Sequence, residues 1–243
     1  MLSLNVLRSF CFFVFVAFLF SGCDRGWSDP ESVVTSQGDS QEENSQDDTF
    51  LERLKKLDIP ETFQLPEIVI GDKQAKNTLI VYSSFSCSHC LKFHTNEWPI
   101  LKKEMVDTGK LKVYLRNYVD DMAALESAML FRAFGQAKGE NPEVYERMYK
   151  VLFDRQAEWM KSSNPREFLK KIFVDAGFER EKVEECLSSQ SKIYTKIAAG
   201  IMRDQKKALG AWNIEIVPAF VINGKAHCGF LTAKEIMEKF SSK

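Results

Sequence analysis

Thr78-Leu79-Ile80-Val81-Tyr82-Ser83-Ser84-Phe85-Ser86-Cys87-Ser88-His89-Cys90 is the stretch that decides the fold. Thr78 to Ser84 is dense in β-branched and aromatic residues and predicts a strand. A helical pattern follows from about Ser88 to Val106, with Pro99 expected to kink it. The two cysteines, two residues apart, therefore sit where a strand hands over to a helix. Four unpaired N–H groups and the positive end of the helix dipole face the first sulfur, Cys87. Both favour the thiolate, the reactive species, and such positions lower a cysteine pKa from ~8.5 to ~3.5–7.5. His89 adds a donor and, when protonated, a positive charge close to that sulfur. A stabilised thiolate makes a disulfide easier to reduce, so the pair becomes a better oxidant. Cys90, one turn into the helix, is expected to be the more buried and to resolve a mixed disulfide.

Outward from this stretch, Ile68-Val69-Ile70 is a short strand signal stopped by Gly71-Asp72, and Lys110 to Tyr118 alternates apolar with polar as a third strand. From Ala123 to Trp212 there is no strand signal. Helical spacing takes over at Leu125, Met129, Phe131 and Phe134, then in Val144–Phe153, Arg166–Ala176 and Glu181–Ala208. Asn141-Pro142 and Asn164-Pro165 read as helix starts, with Asn capping and Pro in the first turn. Ile214 to Ile222 returns to strand, Asn223-Gly224 is a hairpin turn signal, and Ala226 to Phe230 pairs back. Thr232 caps a final helix to about Phe240, with Glu235 completing a capping box. A β-α-β unit and a β-β-α unit are thus separated by helices. The fold class is α/β, with residues 66–121 and 211–243 forming one domain and 122–210 an all-helical insertion.

The 243 residues are 44% hydrophobic and carry 33 basic against 34 acidic side chains. That length buries a sizeable core, and the balance gives no footprint for nucleic acid. Only the N-terminus is continuously apolar, which excludes a polytopic membrane protein. Arg8, the apolar run Phe10–Phe20 and the small residues Ser21 and Gly22 predict an export signal over residues 1–22. Phe20-Ser21-Gly22-Cys23 resembles the lipobox of bacterial lipoproteins, with Phe20 where an aliphatic residue is usual. The resemblance implies lipidation of Cys23; ordinary cleavage and an uncleaved anchor are the alternatives, and all three export the chain. Residues 23–49 hold eight acidic side chains against Arg25 alone and read as a flexible tether. Residues 50–65 are a linker in which Phe50–Leu57 has amphipathic helical spacing.

The motif, the helical insertion, Val217-Pro218-Ala219-Phe220 and Asn223-Gly224-Lys225 together resemble DsbA-type thiol:disulfide oxidoreductases over residues 66–243. The resemblance implies a thioredoxin-like fold with an inserted all-helical domain. It also implies a cis Pro218 lying against the redox pair, Val217 lining the peptide groove, and Ser88 at the substrate-facing position inside the motif. Catalytic roles fall on Cys87, Cys90 and His89. Clients would be unfolded, newly exported cysteine-containing proteins, and the reoxidant a quinone-linked, DsbB-like membrane partner. No bound cofactor is implied. Two departures stand out. Ser88 occupies a position often taken by Pro, and Val81 stands where well-known members carry a buried acid that handles the proton.

With Cys11 in the signal and Cys23 at its exit, Cys186 and Cys228 are left over. Some relatives carry a second, non-catalytic pair, so a structural Cys186–Cys228 disulfide is expected; two buried free thiols are the alternative. Half a zinc site around Cys87, Cys90, His89 and His94 finds no second pair to complete it, so no metal is expected. His94 reads as a surface or packing residue. The activity expected is disulfide donation in the periplasm or cell envelope, from a membrane-tethered protein. An isomerase or reductase, or a non-catalytic binding module, are the alternatives.

Overall fold

Buried and half-buried residues alternate without exception along Leu111–Asn117, as a strand with one face turned to a core demands. That strand, β3, anchors a five-stranded sheet in a computed structural model that describes residues 64–241. The export signal, Cys23, the acidic stretch and Phe50–Leu57 lie outside the described residues. The other strands are β1 (Ile68–Ile70), β2 (Asn77–Ser83), β4 (Ala219–Ile222) and β5 (Lys225–Cys228), in the order β1-β3-β2-β4-β5. β2 runs parallel to β3 with Ser83 opposite Asn117; β1–β3, β2–β4 and β4–β5 are antiparallel. Asn223 and Gly224 both take positive φ in the β4–β5 turn, as a tight hairpin requires.

The helical stretch after β2 is built in four pieces: α1 (Ser88–Lys92), a π turn Phe93–Glu97, α2 (Trp98–Leu101) and a second π turn Lys102–Val106. Pro99 has no N–H to continue the α-helical ladder. Instead of a simple kink, the chain widens just before it, and Trp98 N–H bonds to the Phe93 carbonyl five residues back. Cys90, Phe93, His94, Trp98, Leu101 and Val106 nevertheless all stay buried.

The insertion comprises α3 (Met122–Ala137), α4 (Pro142–Asp154), α5 (Gln156–Met160), α6 (Pro165–Asp175), α7 (Arg180–Leu187) and α8 (Lys192–Trp212). Asn141 and Asn164 cap α4 and α6 with their side chains, each followed by Pro. The single helix expected over Glu181–Ala208 is two, because Ser191 turns its hydroxyl onto the Ile193 and Tyr194 N–H groups and starts α8. α5 has only five residues, too short to show a period. α3 is the hub, buried almost all round and packed on α4, α6, α7 and α8. Gly135 lets α4 come close, since a Cβ there would lie 2.0 Å from the Tyr145 ring. Arg132 fastens α3 to the sheet: Nε donates to Asn117 Oδ1 at 2.8 Å, and the guanidinium also donates to the Pro66 carbonyl at 2.8 Å.

Pro218 cannot donate to a ladder, so β4 starts only at Ala219, and Ile214–Val217 forms a loop where a longer strand was expected. Tyr118 Oη, just past β3, donates to the Glu215 carbonyl in that loop at 2.9 Å. The last helix, α9 (Ala233–Ser241), carries the capping box: Thr232 Oγ1 accepts from Glu235 N–H at 3.2 Å, and Glu235 Oε2 accepts from Thr232 N–H at 2.8 Å.

The expected Cys186–Cys228 bridge is not formed. Cys186 is buried on α7, which packs on α3, α6 and α8, whereas Cys228 is exposed on the edge strand β5. A disulfide needs the two Cα atoms within about 7 Å, and these cysteines belong to separate parts of the architecture. Burial and the nearby Glu126 push the Cys186 thiol up to about 12, so it stays a protonated, inert core group.

Candidate active site

Phe85 is the wedge that seats the motif. It is buried at the end of β2, with ring centroids 5.2 Å from both Phe131 and Phe153 and 5.4 Å from Tyr149. Burying such a ring contributes about 1.5–3 kcal/mol, and it docks the segment between strand and helix onto the insertion. Cys87 N–H then bonds to the Ser84 carbonyl at 3.3 Å, and the Cys87 carbonyl accepts Leu91 N–H at 3.0 Å as the first bond of α1. Cys87 itself is the N-cap, in extended conformation.

The two sulfurs are unlike. Cys87 is half-buried, Cys90 fully buried, and both are free thiols. The Cys90 thiol donates to Cys87 Sγ; with the N–H groups of Cys90 and His89, it lowers the Cys87 pKa to about 6 against the opposing effects of burial and Asp120. Cys90 moves the other way, pushed far up first by its hydrogen bond to Cys87 and then by burial. His89 reaches Cys87 through its backbone N–H, and the residue itself lies exposed, as does Ser88. Cys87 Sγ lies 3.6 Å from the Val217 carbonyl, and the Val217–Pro218 peptide bond is cis. Val217 is half-buried and Pro218 buried beside the pair, while Ile216 is 58% exposed at the rim.

Val81 is buried mid-strand between Leu115 and Phe220. An acid reaches the motif from elsewhere. Asp120 Oδ1 accepts from Ser84 Oγ at 3.0 Å and from Ser86 Oγ at 3.4 Å. Burial and the neighbouring Asp121 raise its pKa, with the Ser84 hydroxyl opposing. Sequence reading missed Asp120 because it follows β3, not β2. The parallel pairing brings the two strand ends together, with Tyr118 N–H bonded to the Ser83 carbonyl at 2.9 Å. The readable signal was an acid just beyond the strand next to the one that feeds the motif.

Gln156 was missed as well, although its Nε2 donates to the carbonyls of Phe85 and Cys87 at 2.6 and 3.1 Å. His94 is buried and packs, its ring stacked on Phe153 with centroids 5.0 Å apart. Desolvation lowers its pKa to about 4. Among the described residues, no group of three His, Cys, Asp or Glu side chains is placed to hold a metal ion.

A family model described as Thioredoxin matches residues 64–239. The chain belongs to the thioredoxin family. Within the solved members of this thioredoxin fold, alpha-DsbA1 of Wolbachia pipientis superposes with a TM-score of 0.63 at 24% identity, covering 77% of this chain and 94% of that one. BdbD of Bacillus subtilis, in its oxidised form, follows at 0.60 and 18% identity, covering 72% and 91%. The thioredoxin fold here is therefore DsbA-like, helical insertion included. A Rickettsia typhi protein provisionally named a protein-disulfide oxidoreductase is 27% identical over 159 residues, 65% of this chain and 55% of the relative. Its Rickettsia prowazekii counterpart is 27% identical over 166 residues, 67% and 57%. The chain thus spans little more than half the length of these curated relatives.

Proposed function

We propose that the chain is a thiol:disulfide oxidoreductase that donates a disulfide to client proteins. The observation that carries this is the asymmetry of the pair: an accessible sulfur with a pKa of about 6 and, one turn away, a buried sulfur held as the thiol. In the oxidised protein a client thiolate attacks Cys87 Sγ, the Cys87–Cys90 bond breaks, and Cys90 leaves and takes up a proton. A second client thiolate attacks the client sulfur of the mixed disulfide, and Cys87 leaves as thiolate. The client loses two electrons, and the Cys87–Cys90 pair gains them. A sulfur with a low pKa is the better leaving group, so the last step runs toward the client disulfide. Val217, Pro218 and Ser88 frame the groove in which an extended client would lie, with Ile216 as an apolar contact at its rim. His89 and Cys90 hold the thiolate through their N–H groups.

The sequence features beyond the described residues support a cell-envelope location, with residues 1–22 as export signal, Cys23 as the lipid attachment and residues 23–49 as the tether. Reoxidation would fall to a DsbB-like membrane partner, by the resemblance already drawn.

The test is the reduction potential of the full chain equilibrated against glutathione, with Cys87→Ser as the blank. A disulfide donor gives a value well above about −200 mV. A value near about −270 mV, like thioredoxin, marks a reductase or isomerase. No reversible couple, with retained binding of unfolded peptide, leaves a binding module.

A further inference from the structure

Besides the rings packed on Phe85, the insertion reaches the redox centre with an amide side chain. Gln156 opens α5 and is 5% exposed. A primary amide has two N–H donors, and here Nε2 supplies the Phe85 carbonyl at 2.6 Å and the Cys87 carbonyl at 3.1 Å. Those carbonyls flank Ser86, the residue that turns the chain into α1. The Cys87 carbonyl also receives Leu91 N–H at 3.0 Å, so its two lone pairs are both engaged.

α1 has only five residues before the first π turn. A helix that short is not held by its own hydrogen bonds, so the direction of its first turn is set by what grips it. Phe85 grips from the side through ring packing, but a ring in a pocket fixes position better than rotation. Two hydrogen bonds to the carbonyls on either side of Ser86 fix rotation.

We infer that Gln156 is a positioning residue of the redox centre, clamping the carbonyls on either side of Ser86 so that the His89 and Cys90 N–H groups stay aimed at Cys87 Sγ. The inference rests on the proposed dithiol chemistry but deepens it, because it assigns part of the control of that chemistry to the inserted helices. Without the clamp, the Phe85 carbonyl loses its Gln156 donor and the Cys87 carbonyl keeps only Leu91 N–H, the first turn of α1 loosens, and the N–H groups drift from the sulfur.

The experiment compares Gln156→Met with the wild type in the full chain, both reduced. Thiolate absorbance at 240 nm gives the Cys87 titration, a melt reports folding, and the glutathione equilibrium reports the couple. The Met variant keeps the volume and removes both donors. Its Cys87 midpoint is expected to rise by about one pH unit, moving the glutathione equilibrium about fivefold toward the disulfide at pH 7. A variant that melts lower but titrates like the wild type makes Gln156 a packing residue and overturns the inference. Gln156→Asn, which keeps an amide but withdraws it by one methylene, reads the same titration if the Met variant does not fold. The titration needs no client and no couple, so failure of the oxidoreductase reading would show in the equilibrium alone.

Discussion

Asp120 and Cys87 bear charges of the same sign at the same end of the sheet, and two serine hydroxyls hold the carboxylate in place. Asp120→Asn keeps an oxygen to accept from Ser84 and removes the charge. Its Cys87 midpoint is expected below the wild-type value of about 6, read from the pH profile of iodoacetamide alkylation; an unmoved midpoint would mean that solvent screens the charge. The same titration governs stability. Folding lowers the Cys87 pKa from 9.0 to about 6, so the stability that the thiolate lends to the reduced protein is fully present above pH 9 and is lost as pH falls through about 6. Melting temperatures of the reduced chain, followed relative to Cys87→Ala, should converge on the variant across that window.

Among the elements, the close crossing of α3 and α4 hangs on Gly135. Gly135→Ala improves helix propensity by up to about 1 kcal/mol, but its methyl would sit inside the Tyr145 ring, which is buried and bonded through Oη to Glu140 at 2.7 Å. Overpacking of this kind costs about 1–3 kcal/mol, so urea unfolding should show a net loss, and a gain would mean that the helices part freely. Elements governed by neighbouring residues could be read from the sequence: the alternation of β3, the Asn-Pro starts of α4 and α6, and the Thr232–Glu235 box. The Cys87–Cys90 pair was equally legible, because strand, motif and helix are contiguous. What could not be read depends on distant partners. Asp120 meets Ser84 only because β2 and β3 are parallel, and Gln156 meets Phe85 only after the insertion folds back. The π turns also escaped, since each shifts the helical period by only a residue or so, and so did the break between Leu187 and Lys192, which is about one helical turn long.

For the whole molecule, the question is what keeps the insertion on the sheet. Arg132 is almost wholly buried, and burial depresses its pKa, so its charge depends on the Asn117 and Pro66 oxygens for solvation. Arg132→Ala leaves a cavity and strips those oxygens of their donor. A loss of about 3–5 kcal/mol is expected in equilibrium unfolding, with Arg132→Met milder because it refills the space. A loss under about 1 kcal/mol would show that the other contacts alone seat the insertion. The hydrogen bond from Tyr118 to the Glu215 carbonyl has a wider meaning. It joins the point where the chain departs from the sheet to the point where it comes back, so the helices between hang from a closed neck. Inserted segments are tolerated where their ends already meet. To the sheet, the helical segment is a cassette whose length is invisible. A short linker across the neck would still let the strands meet, but it would forfeit the core they share with the helices, the Arg132 bonds and the grip on the turn that carries Cys87.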